Sequence, residues 1–209
     1  MSKKITLISV ALLFASTVAA QNTTPQMEAF LGYTFTRANS ATNVPAFSAN
    51  GGSGQFVYDF NKWISAVADV GAVHNGNIHN IHLDTTIANL LVGPRLPVRL
   101  WSRVTPYFQI LFGEVWAATS TAVPADLILP SPRVVIPTGS FLRATRSESG
   151  FGMTVGGGLD IKITKHVNFR PIQLEYFLTR LQNLRSGNDN NQSNLRYSTG
   201  FNFTFGEAQ

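Results

Sequence analysis

Hydrophobic and polar residues alternate along most of this chain. In the closing stretch, Leu195, Tyr197, Thr199, Phe201, Phe203 and Phe205 take every second position, with Arg196, Ser198, Gly200, Asn202 and Thr204 between them. Period two is the repeat of a β-strand, whose successive side chains point to opposite faces. Seven more segments follow the same rule: EAFLGYTFT, SGQFVYDF, WISAVADVGAV, DTTIANLLVGPRL, TPYFQILFGEVWA, FGMTVGGGLDIKI and VNFRPIQLEYFLT. The sixth alternates without a slip, and the fourth is apolar on both faces. The seventh loses phase at Pro171, where a bulge lets Arg170 share a face with Gln173 and Glu175.

The connections between these strands carry more information than the strands. Strands one and two are joined by the long ANSATNVPAFSANGG, strands two and three only by Asn61 and Lys62. Then come a longer HNGNIHNIHL, a short PVRLWSR, an insertion from about Ala118 to Ser149, a short TKH and a long LQNLRSGNDNNQSN. Long and short alternate through all the connections. A Greek-key sandwich has no reason to do this. A barrel that crosses a membrane does, because turns on the export side are tight and loops on the far side are free to grow. The fold expected is all-β: an eight-stranded antiparallel transmembrane β-barrel, an up-and-down meander with both termini on the tight-turn side.

In such a barrel the apolar face meets lipid and the polar face lines the interior. The polar set carries glycine, serine, threonine and asparagine together with Glu28, Asp59, Asp69, Asp160, Lys162, Arg170, Glu175 and Arg196. The apolar set is almost free of charge, as it must be where a charge at mid-membrane costs ~2–4 kcal/mol. Glu114 is out of phase, and is expected either to turn inward through a bulge at Gly113 or to sit among headgroups. Phe201 and Phe203 are expected to face lipid. Phe60, Trp63, Phe169 and Phe205 fall at the tight-turn end, and Tyr33, Phe35, Trp116, Phe151 and Tyr197 at the loop end, making two aromatic girdles.

Composition agrees with this reading. Charged residues make up 13% of the chain, about half the roughly 25% of soluble domains. There is no cysteine, which leaves no disulfide framework and no thiolate metal site. Residues 1–20 have a basic MSKK start, an apolar ITLISVALLFA core and a small-residue end with Val18 and Ala20. This is the pattern of a secretory signal peptide cut after Ala20, leaving residues 21–209 as the barrel domain. Lys3 and Lys4 leave with the leader, so the formal charge falls from +5 to +3, too mild to argue for nucleic acid.

The stretches LLVGPRLPVRLWSRVTPYFQILFG, FGMTVGGGLDIKI, FRPIQLEYFLTR and NLRYSTGFNFTFG resemble the small outer-membrane β-barrel proteins of Gram-negative bacteria, related in shape to the OmpA transmembrane domain and OmpX. The resemblance spans the mature chain and is weakest in the loops. It implies a cell outer membrane location, with outer-membrane lipids and lipopolysaccharide as surroundings and the barrel-insertion machinery as a partner. That machinery reads an aromatic residue at the end of the last strand, which here is Phe205, four residues before the end. No OmpA-type peptidoglycan tether is expected. The protein is expected to be a monomer without a cofactor.

An eight-stranded interior is just wide enough for side chains to fill it, so its acids and bases are expected to pair. The expected interior network comprises Glu28, Asp69, Arg95, Asp160, Arg170 and Glu175. Asp160 with Arg170, across a tight turn, is the first pair; Arg95 with Glu28 or Asp69, and Glu175 with a base, follow. If the network instead gates a narrow water path, Arg170 or Arg95 is its switch. The role expected is structural, surface-interacting or at most that of a narrow pore. The competing reading is a membrane-embedded, lipid A deacylase-like hydrolase, for which the chain has no His-x-Ser pairing. His74, His79 and His82 cluster with Asp84 in one loop, and a solvated loop is favoured there over a metal site; His166 lies in a tight turn. In the insertion, ADLILPSPRVVIPTGSF has two apolar runs around Pro130 and Pro132 and suits a hairpin that extends strands five and six above the membrane.

Overall fold

The structure is a computed structural model that describes residues 26–40, 46–78, 83–99, 101–124, 141–182 and 189–205. The leader with its cleavage site, His79, His82, Pro130 and Pro132 lie outside these residues. Among the described residues eight strands run in chain order: β1 (Met27–Ala38), β2 (Phe47–Asp59), β3 (Ser65–Ile78), β4 (Leu83–Pro97), β5 (Val104–Pro124), β6 (Phe141–Lys162), β7 (Val167–Gln182) and β8 (Asp189–Phe205). Each pairs antiparallel with the next, and β1 pairs with β8 from Met27↔Phe205 to Ala38↔Asn194, which closes the barrel. Closure satisfies every strand edge within the wall, the condition for spanning hydrocarbon with β-structure.

The alternation read from the sequence divides the wall as expected. Phe56, Val70, Leu90, Val92, Phe108, Phe112, Leu174, Phe201, Phe203 and Phe205 are exposed on the outside, while Asp69, Arg170, Glu175 and Arg196 are sealed within. The doubly apolar β4 is explained by both faces being used: Ile87 and Leu91 are buried inside, and Leu90 and Val92 face outward. The register of β7 shifts against both neighbours around Pro171, between Arg170 and Gln173 on the β8 side and opposite Leu159–Ile161 on the β6 side. Proline has no N–H to give to a ladder, so the strand bulges there, and Arg170 and Gln173 both point inward.

Two outcomes bear on the expectations. The first is Glu114, which takes the outward, loop-end place and not the inward one, since β5 has no bulge at Gly113. Gly113 pairs with Leu91 and Gly152, Glu114 with Leu90 and Phe151, in unbroken register, and Glu114 is exposed on the outer face. Phe151 pairs in turn with the outward Arg180, so the carboxylate shares its level with a cation at the loop end of the wall. The second concerns the interior, which is not polar throughout. Ala38, Phe47, Ala49, Val73, Ile87, Val115 and Phe177, toward the loop ends of their strands, form one buried apolar cluster with Leu91 and Leu111. A narrow lumen must be filled, and apolar side chains fill it without desolvating charge.

β5 and β6 are the longest strands, with 21 and 22 residues. They stay paired up to Pro124↔Phe141, whereas β4 leaves β5 at Thr121 and β7 leaves β6 at Phe151. The described parts of the insertion, up to Pro124 and from Phe141, therefore continue the two strands as a paired ribbon beyond the last partner that β7 gives β6.

Candidate functional site

The barrel interior is organised around three arginines on β4, β7 and β8. Alternation and the Pro171 bulge aim all three inward, where each is buried within the wall. Arg170 holds Asp160 in a two-point pair, Nε to Oδ1 at 2.6 Å and Nη2 to Oδ2 at 2.9 Å. Its Nη1 donates to Gln55 and Gln173, both at 2.8 Å. Arg196 bridges two carboxylates: Nη1 reaches Asp69 at 2.9 Å and Nε reaches Glu175 at 2.7 Å. Paired guanidinium–carboxylate contacts of this kind are short and strong because donor and acceptor are both charged.

Amides knit the two clusters together. Gln55 Nε2 donates to Asp69 at 2.8 Å, Asn89 to Asp69 at 2.6 Å, Gln109 to Glu175 at 2.7 Å and Gln173 to Glu175 at 2.9 Å. Tyr107 donates its hydroxyl to Gln173 at 2.8 Å, and its ring lies 4.7 Å below the Arg170 guanidinium, with Phe30 at 4.3 Å. Each carboxylate thus accepts from an arginine and from at least one amide, apart from Asp160, which Arg170 satisfies alone. This meets the requirement that buried charge be both paired and hydrogen-bonded.

Arg95 departs from the expected pairing. It does not meet Glu28 or Asp69. Its Nε and Nη2 donate to Gln109 Oε1 at 2.9 and 2.7 Å, and Nη2 also to Gln55 Oε1 at 2.6 Å. Asp69 is already taken by Arg196, and Glu28 accepts from Asn202 at 2.7 Å. The network therefore brings together Asp69, Asp160, Arg170 and Glu175, places Arg95 beside them on amides, and leaves Glu28 at the edge. Sequence reasoning missed the connecting role of Gln55, Gln109 and Gln173 and the two-carboxylate role of Arg196. Their inward phase was visible, but the neutral amides carry no charge pattern to mark them, and β8 by itself does not record that Arg196 meets two acids.

The aromatic set lies outside. Tyr33, Phe60, Trp63, Phe201, Phe203 and Phe205 are exposed and Phe35 is half-buried, all on the outer phase of the wall or in its turns. At the loop-side rim His74 is exposed, with Nδ1 3.0 Å from Thr86 Oγ1 and 3.4 Å from Asp84 Oδ1.

A closed eight-stranded barrel with an aromatic exterior, an ionic interior and tight turns at one end defines a transmembrane protein of the outer-membrane type. The chain matches the outer membrane protein beta-barrel domain family over residues 5–206, and it belongs to that family. It is accordingly an outer-membrane protein. Among solved structures it is similar to Ail, the attachment invasion locus protein of Yersinia pestis, at 14% identity and TM-score 0.57, covering 88% of this chain and 100% of that one. Neisserial surface protein A is similar at 12% identity and TM-score 0.59, covering 87% and 97%. OprG from Pseudomonas aeruginosa is similar at 10% identity and TM-score 0.50, covering 88% and 97%. At these identities the likeness is one of fold. No curated protein sequence matches the chain.

Proposed function

We propose that this protein is a non-enzymatic, monomeric barrel that serves the envelope as a wall element and makes surface contacts through its β5–β6 hairpin. One observation carries the reading: from Phe141 to Gly150, β6 pairs with β5 and with no other described strand. The edge of β6 that faces away from β5 there meets no other described strand, and such an edge is the usual place for an incoming extended segment to add. A contact role of the kind that the name of Ail records is the nearest analogy. The filled lumen favours this role over conduction, since arginine clusters and an apolar layer stand in series along it.

The hydrolase alternative finds little support at the rim. His74 turns the same nitrogen, Nδ1, to both Asp84 and Thr86. A relay needs the acid on one ring nitrogen and the nucleophile on the other. Export with loss of residues 1–20 and delivery by the barrel-insertion machinery complete the proposal; N-terminal sequencing of the membrane form should begin at Gln21.

The test is to shorten the hairpin, joining Ala118 to Gly150 through a tight turn, and to compare attachment of expressing cells to protein-coated surfaces. Attachment should fall to the level of cells lacking the protein, while the barrel keeps its heat-modifiable migration on gels. Full attachment by the shortened form would remove the hairpin from the role. Protease added to intact cells should cut between Pro124 and Phe141; cutting at Asn61–Lys62 instead would reverse the orientation.

A further inference from the structure

At the tight-turn end the lumen opens into a cavity of about 380 Å³. Its floor is the ionic network and its mouth lies among the three turns. Three facts about its charges stand out. First, Arg95 lines the cavity, is 2% exposed, and has no carboxylate partner; its bonds run only to the oxygens of Gln55 and Gln109, and its Nη1 has no acceptor among the described residues. The other two buried arginines are both held by carboxylates. Second, none of the acids on the same wall bonds Arg95. Asp160 is held by Arg170, Asp59 by Arg99 and Ser65, and Glu28 accepts from Asn202. Third, Lys162 and Lys165 line the cavity too, and their ammonium groups make no ion pair or hydrogen bond among the described residues.

With Lys62, the lining holds five cations against three carboxylates, and the surplus sits around a buried arginine that no carboxylate bonds. A desolvated charge is costly unless it is paired and hydrogen-bonded, and neutral amide oxygens supply only half of that requirement. The Arg95 plane is already fixed: the Tyr107 ring lies 4.1 Å from its Cζ, and Tyr107 is itself anchored on Gln173. A guanidinium held in plane with its Nη1 free keeps a charged donor of the kind that carboxylates and phosphates accept. The cavity has room for such a group and its hydration, being the share of about a dozen waters.

We propose that this turn-side vestibule is a binding site for a small solute bearing an oxyanion, carboxylate or phosphate, anchored on Arg95 and drawn in by Lys162 and Lys165. The site is blind, because the arginine clusters and the apolar layer close it toward the loops. It serves solutes on the export side of the membrane and does not pass them through.

The test uses the full mature chain folded in detergent micelles. Sodium phosphate and sodium acetate are titrated separately against sodium chloride at matched ionic strength, with the Arg95 Nε–H resonance and calorimetry as readouts. Saturable binding of phosphate, acetate or both is expected, with chloride giving none, and the two arms say which oxyanion is preferred. Arg95→Lys should weaken binding about 10- to 100-fold, the worth of a charge-assisted bond pair. The Lys162→Gln/Lys165→Gln variant touches only unbonded side chains at the mouth and should weaken it several-fold. Shifts that do not saturate, or that chloride reproduces, would overturn the proposal. So would unchanged affinity in the mouth variant, which also decides the matter if Arg95→Lys does not fold.

Discussion

Arg196→Met removes the cation that holds Asp69 and Glu175 together in the interior. The side chain it replaces is fully buried, and Asp69 and Glu175 beside it have no exposed side-chain area. Four contacts are lost: to Asp69 at 2.9 and 3.2 Å and to Glu175 at 2.7 and 2.6 Å. Two carboxylates then face each other with only amides as donors, Gln55 and Asn89 on one and Gln109 and Gln173 on the other. Each lost ion pair at about 4 Å is worth about 4 kcal/mol at an effective dielectric of 20. The arginine's own desolvation, which methionine avoids, offsets part of this. The net expected loss is about 3–5 kcal/mol, the usual consequence of breaking a buried pair from one side.

The assay is urea unfolding of the folded barrel in lipid vesicles, followed by tryptophan fluorescence, with gel mobility as a second probe. The midpoint should fall while the slope holds, the sign of lost stability without a changed end state. Adding Asp69→Asn and Glu175→Gln to Arg196→Met should return most of the loss, because uncharged groups need no counter-charge. A loss under about 1 kcal/mol for Arg196→Met alone would refute the reasoning, since it would mean that water or neighbouring cations already balance the two acids.

Three further outcomes follow from the same geometry. Phe112→Arg places a charge mid-wall on the lipid face and should cost about 2–4 kcal/mol, whereas Phe205→Arg at the tight-turn rim should cost about 0–1, both read by urea unfolding in vesicles. Gly158→Val should destabilise by about 1–3 kcal/mol, because a Cβ there would lie 2.5 Å from Tyr107 Oη and 2.8 Å from the Ile172 carbonyl oxygen. Planar bilayer recordings should give no steady current for the parent protein or for Arg170→Ala, since the apolar layer around Val73, Ile87, Val115 and Phe177 stays in place; a current that opens in Arg170→Ala would restore the switch.

Much of the architecture was written in the chain itself. Which residues face in and which face out follows from period two, a constraint imposed by each residue on its immediate neighbours, so Phe201 and Phe203 could be assigned to lipid without any contact being known. The alternation of long and short connections is likewise local, and it favoured a membrane barrel over a sandwich most strongly. The Pro171 bulge was legible because proline's missing N–H acts on its own strand. Asp160 with Arg170 was within reach for a related reason: ten residues apart across a tight turn, the two have few alternative neighbours.

The tertiary structure decided the rest. Arg196 finds Asp69 across 127 residues, and Arg95 finds Gln55 and Gln109 instead of an acid. Such meetings depend on strand tilt and on the register summed around eight strands, and no single strand records either. An unbroken ladder on both sides chose the outward of the two places open to Glu114, and in the loop half of the lumen volume was filled by apolar side chains. The free edge on β6 exists only because neighbouring strands end at different heights. Local alternation chooses a face; closure of the barrel chooses the partner.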